Sequence, residues 1–183
     1  MNKTTTTMAC ALALALAACG KPQEVASEKA AEKMIESAIG QDGTKAKVDL
    51  DAGQAKITTT DAQGRTSQME MGGAQVGEAD LGIAFYPGAK PVEGQSSRVT
   101  TPDGSMLSIG LQSSDAPDKV AGFYRDAIKS QSAGKQTMEM SDGSGGATFM
   151  LADEATSSAV QVHVRKAEGG SEIQIVSTRG KGK

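Results

Sequence analysis

Residues 159–166 read AVQVHVRK, and the alternation in that octet decides the fold class. Val160, Val162 and Val164 fall on one side of an extended chain, and Gln161, His163 and Arg165 on the other. Successive strand side chains point to opposite faces, so one face of this strand is packed and the other wet, as in antiparallel sheets. Similar stretches surround it at 135–140, 147–152 and 171–178, divided by Asp142-Gly143-Ser144-Gly145-Gly146, an Asp/Glu/Ser loop and Glu168-Gly169-Gly170. Runs of Gly, Ser and Asp are where a chain turns. Two earlier strands, at 95–101 and 105–112, flank Pro102-Asp103-Gly104. Between the two groups, Ser114-Asp115-Ala116-Pro117 supplies a cap and an early proline for a helix over 117–130. Val120, Phe123, Tyr124, Ala127 and Ile128 recur there at helical spacing and make one apolar face. Two strands, a helix and four strands over 81–179 imply an antiparallel sheet packed against a helix, an α+β domain. Residues 180–183 form a short basic tail.

Residues 25–71 read as a helix plus a three-stranded meander. The helix spans 25–39, with Ala31, Met34, Ile35, Ala38 and Ile39 as its packed stripe and Glu28, Lys29, Glu32, Lys33 and Glu36 facing water. Strands follow at 46–50, 54–60 and 65–71, and 72–80 (GGAQVGEAD) reads as a linker. No aromatic residue lies in this segment, so its core is small and it is expected to dock on the rest of the chain.

The N-terminus predicts where the protein resides. Residues 1–18 have the form of a signal peptide: a polar start with Lys3, then an apolar run over 8–18. A bilayer span needs about 20 apolar residues, so this run is too short for one. It ends in Leu16-Ala17-Ala18-Cys19, followed by Gly20, which resembles the bacterial lipobox. That resemblance implies cleavage between Ala18 and Cys19, lipidation of Cys19, and a short tether over 19–24. With Gly20 in second place it further implies the outer membrane, with the domain facing the periplasm. Two or more acyl chains suffice for stable anchoring. Cys10 would leave with the signal and Cys19 would be blocked, so no disulfide or cysteine metal site is expected.

A second resemblance rests on Tyr86-Pro87-Gly88-Ala89 and on Asp115-Ala116-Pro117-Asp118-Lys119-Val120-Ala121-Gly122-Phe123-Tyr124. The chain resembles a group of uncharacterised bacterial lipoproteins that share a YPGA turn and a DxPxxVxxFY helix. The likeness covers roughly 81–180 and implies an α+β fold; it implies no activity. The hydroxyls of Tyr86 and Tyr124 are candidates to line a binding groove.

Composition and motifs narrow the function. A net charge of −3 and no basic stripe interleaved with aromatics exclude a nucleic-acid module. His163, the one histidine, sits on the wet face of its strand without visible partners for a triad or a metal site. Asp49-x-Asp51-x-Gly53 lacks the later ligands of a calcium loop and reads as a turn. Gly143–Gly146 lacks the Lys-Ser/Thr and following helix of a phosphate cradle. Met69-Glu70-Met71 and Met138-Glu139-Met140 each put two thioethers on one side of a strand. Thioethers suit Cu(I), but the reading here is adaptable core filler, with Glu70 and Glu139 in water. The expectation is a lipid-anchored, non-catalytic envelope module without cofactor or metal, whose partners are membrane lipid and an envelope protein or small ligand. A structural spacer, a copper-handling protein and a hydrolase are the alternatives.

Overall fold

Among the described residues, Val162 and Val164 lie fully buried on the third strand in from one edge of a single nine-stranded antiparallel sheet. The computed structural model describes residues 21–40 and 43–181; residues 1–18, Cys19 and the last two residues of the tail lie outside the described part. In chain order the elements are α1 (Lys21–Ile39), β1 (Lys45–Asp51), β2 (Gln54–Thr60), β3 (Thr66–Met71), α2 (Glu78–Leu81), β4 (Lys90–Thr101) and β5 (Gly104–Ser113). Then come α3 (Pro117–Ser130), β6 (Gln136–Ser141), β7 (Ala147–Asp153), β8 (Ser158–Ala167) and β9 (Gly170–Gly180). Across the sheet the order is β1-β2-β3-β4-β5-β9-β8-β7-β6. The chain zigzags from β1 to β5, crosses by α3 to the far edge, and returns by β6–β9 to close against β5. Helices and an antiparallel sheet are both present, as expected of an α+β chain, but strands dominate.

The expected strands all form, and the differences lie at their ends. α1 begins at Lys21 and not at Val25. β4 begins at Lys90, and its register with β5 shifts between Pro91 and Ser96. The short α2 starts inside 72–80 and ends at Gly82, whose φ of 76° is left-handed. β9 runs through Gly180, and Arg179 donates to the carbonyls of Ala79 and Asp80, so the basic tail starts later than its composition suggests.

Packing divides the sheet. In β5, β8 and β9, Leu107, Ile109, Leu111, Val162, Val164, Ile173 and Ile175 are buried on the face that carries α3 and α2. In the first three strands polarity is reversed. The register runs Val48–Ile57–Met69–Val99–Met106, so Val48 and Ile57 share a face with Met106 and oppose Leu107. Val48 is buried there, next to α1, apart from the main core.

α1 differs from the expected amphipathic helix. Met34 is 73% exposed and Ala38 is also exposed, whereas Glu28, Glu32 and Glu36 are half-buried. The cause is the free edge of β1. The Glu36 carboxylate accepts from the Val48 N–H, and that of Glu32 from the Leu50 N–H, each at 2.9 Å. Four helical residues rise about 6 Å. Two strand residues rise about 6.7 Å, so carboxylates at i and i+4 match donors at j and j+2. Unpaired edge donors invite another strand, and α1 blunts this edge.

Candidate functional site

The two motif segments meet in space. Tyr86 and Tyr124 are both buried, and each spends its hydroxyl on the other's segment. The Tyr124 hydroxyl accepts from the Tyr86 backbone N–H at 3.1 Å. The Tyr86 hydroxyl donates to Asp115 Oδ2 at 2.5 Å, on the same carboxylate oxygen that Lys119 Nζ approaches at 3.0 Å. Ser171 Oγ donates to the Asp115 carbonyl at 2.6 Å, and the Asp115 N–H donates to Ser113 Oγ at 3.1 Å. Phe123 sets its ring edge-to-face with both tyrosines, at centroid distances of 5.4 and 5.1 Å. Phe123, on the expected apolar face of the helix, is itself only half-buried. Tyr124, with no exposed surface, is the aromatic of that face that the core encloses.

This arrangement is a clamp between the β5–α3 junction, the Tyr86 turn and the start of β9. Its electrostatics follow from its contacts. The hydrogen bond from Tyr86, and then Lys119, hold the Asp115 carboxyl below its usual range. The bond to Asp115 raises the Tyr86 phenol, and burial raises that of Tyr124 well above the ordinary tyrosine value. A phenol whose pKa is higher in the folded than in the unfolded chain contributes stability below the unfolded value. That contribution is lost as pH rises through the folded value. The only two tyrosines are these, so tyrosinate absorbance is expected to appear at higher pH than in an ordinary tyrosine. It should then rise together with loss of the circular dichroism signal. A tyrosinate rise at ordinary alkaline pH in a still folded chain would refute the clamp.

No described helix packs on the other face of the sheet over β5–β9, and six methionines stand on this side of the sheet. Met69, Met71, Met106, Met138 and Met140 are 37–53% exposed, and Met150 is half-buried. By register all six share this open face, opposite to Leu107 and Val162. The reading of the two Met-Glu-Met triplets as core filler is therefore corrected. The alternation is right and the buried side is reversed, because the middle glutamates are tied to bases on the helix-bearing face. Glu70 pairs with Lys56 at 2.9 Å, and Glu139 pairs with Arg125 of α3 through contacts of 2.6, 3.0 and 3.1 Å.

His163 lies on the open face, as its alternation requires, but is half-buried. Its Nδ1 is 2.7 Å from Thr148 Oγ1 on the neighbouring strand. Asp49 and Asp51 line a recess of about 270 Å³ at the meander, together with Lys56, Glu70 and Gly73. Asp51 ends β1, and Ala52 and Gly53, at φ 44° and 81°, make the two-residue hairpin turn. Asp142 closes the β6–β7 hairpin by accepting from the N–H groups of Ser144 and Gly146. Among the described residues, no three His, Cys, Asp or Glu side chains converge as a metal site. No described helix is long and apolar enough to cross a membrane. Met106 and Met150, which complete the open face, were not singled out by the sequence, and cross-strand register brings them in. Asp115 was named only as part of the cap and the motif, and the bond from Tyr86 makes it the hub of the clamp. Compared with protein-family models, curated proteins and solved structures, the chain matches none.

Proposed function

We propose that this chain is a lipid-anchored, non-catalytic interaction module of the bacterial cell envelope, held through Cys19 at the outer membrane and facing the periplasm. The observation that carries the reading is the open face of the sheet, which displays thioethers while α2 and α3 cover the opposite side. Methionine surfaces adapt to a partner's shape because the side chain is unbranched and polarizable. A partner protein of the envelope is the expected occupant. The non-catalytic part is supported by the engagement of Tyr86, Tyr124, Asp115 and His163 in bonds within the fold. The lipobox at Leu16–Cys19 supports the anchor.

One experiment in cells tests both parts. A photo-cross-linking residue at Gln161, exposed on the open face, is expected to give discrete protein adducts. The same residue at Asp126, exposed on α3, should give none. Parallel labelling with an alkynyl fatty acid should mark the parent chain, and Cys19→Ser should lose the label and remain an uncleaved precursor. Equal adducts at the two positions would sink the module, and a labelled Cys19→Ser chain would sink the anchor.

A further inference from the structure

Methionine is normally among the most buried residues, yet none of the seven described here is in the core: Met150 is half-buried and the other six are exposed. Core packing therefore does not account for them. The ion pairs of Glu70 and Glu139 fix the roll of β3 and β6, so that the flanking thioethers stand on the open face. The two triplets then differ in one respect. Met138 is the direct cross-strand partner of Met150, with Met140 two residues along on the same side. The cross-strand neighbours of Met69 and Met71 are Ile57, Val99, Ala55 and Ser97, and Met106 lies two strands away, beyond Val99.

Directly opposed Cβ atoms are about 5 Å apart. Residues i and i+2 of a strand are about 6.7 Å apart. The flexible methionine side chain brings three sulfurs from such positions to a common point without moving the backbone. Sulfur in a thioether is soft and uncharged, a poor ligand for Mg²⁺ or Ca²⁺ and a good one for Cu(I). His163 stands apart from the trio, because Thr148 lies between it and Met140 and is bonded to its Nδ1.

We infer that Met138, Met140 and Met150 form a surface site for a soft monovalent metal ion, Cu(I), at the β6–β7 end of the open face. The inference goes beyond the interaction-module reading and does not need it, since the three ligands belong to one chain. The test uses the full chain in detergent, with Cys10→Ser and Cys19→Ser so that no thiol competes. Cu(I) is titrated anaerobically against a chromogenic Cu(I) chelator. The chain is expected to withdraw one equivalent. Met138→Leu/Met140→Leu/Met150→Leu should weaken binding about ten-fold or more. Met69→Leu/Met71→Leu/Met106→Leu should bind as the parent does, and both triples should keep its circular dichroism spectrum. Should the first triple fail to fold, Met140→Leu alone, at the most exposed of the three positions, must weaken binding. The site is refuted if the parent chain does not compete, if the first triple binds undiminished, or if both triples lose affinity equally.

Discussion

Tyr124→Ala is expected to lower the stability of the chain by about 3–5 kcal/mol, the range for removing a buried aromatic ring. The ring is fully enclosed by the main core, and the truncation also leaves the buried Tyr86 N–H without its acceptor. Tyr124→Phe separates the two effects. It keeps the ring and removes the acceptor, and should cost about 1–3 kcal/mol. Phe123→Ala should cost less than Tyr124→Ala, about 1–2 kcal/mol, since part of that ring is already in water. Urea unfolding of the three variants, compared at constant m-value, orders them directly. Were Phe123→Ala the most damaging, the ring at the centre of the core would have been misassigned.

Gly170→Ala is expected to be damaging for a different reason. Gly170 begins β9 at φ 152°, close against the backbone at the end of β5. A Cβ there would run into the carbonyl oxygen of Ser113 and come within 2.8 Å of the Ser114 backbone. Backbone cannot swing aside as a flexible side chain can, so β9 must lift from β5. That movement would pull Ser171 from the Asp115 carbonyl and loosen the tyrosine clamp. Unfavourable conformation and overpacking together should cost about 3 kcal/mol or more. Gly88→Ala is the control. Its φ of 79° also disfavours a side chain, but nothing lies within 4 Å of the added Cβ. It should cost about 1–2 kcal/mol, the conformational part alone. Equal midpoints for the two variants would show that Gly170 is needed for its backbone angles and not for close approach.

The strands were legible in the sequence because a two-residue alternation of Val and Ile against Gln, His and Arg has one reading in the middle of a sheet. Alternation defines two sets of side chains without saying which set is covered. In β8 valine decides that question. In β3 (TSQMEM) and β6 (QTMEMS) neither set is strongly apolar, and partners distant in sequence decide it: Lys56 for Glu70 and Arg125 for Glu139. The inner face of α1 was misjudged for a related reason. Helical periodicity groups Met34 and Ala38 with Ile35, but the bare N–H groups of β1 require acceptors, and Glu32 and Glu36 supply them. The two motif segments were visible as strings. The bond from Tyr86 to Asp115 that joins them was not, since it links residues 29 apart.

The reversal of polarity between β1–β3 and β5–β9 bears on how the molecule opens. Hydrogen bonding is continuous across all nine strands, but burial is not: Val48 belongs to no part of the cluster around Phe149 and Ile175. Between the two halves lies the β3–β4 ladder, which pairs Gln68–Met71 with Ser97–Thr100. Breaking that ladder would expose no residue of the larger cluster. Cooperative units separate where contacts are few, so α1 and the meander form a segment that can detach and re-dock while the rest stays closed. Such a segment follows Cys19 closely in the chain, and under the proposed lipidation of that cysteine it would act as a hinged joint between membrane and core.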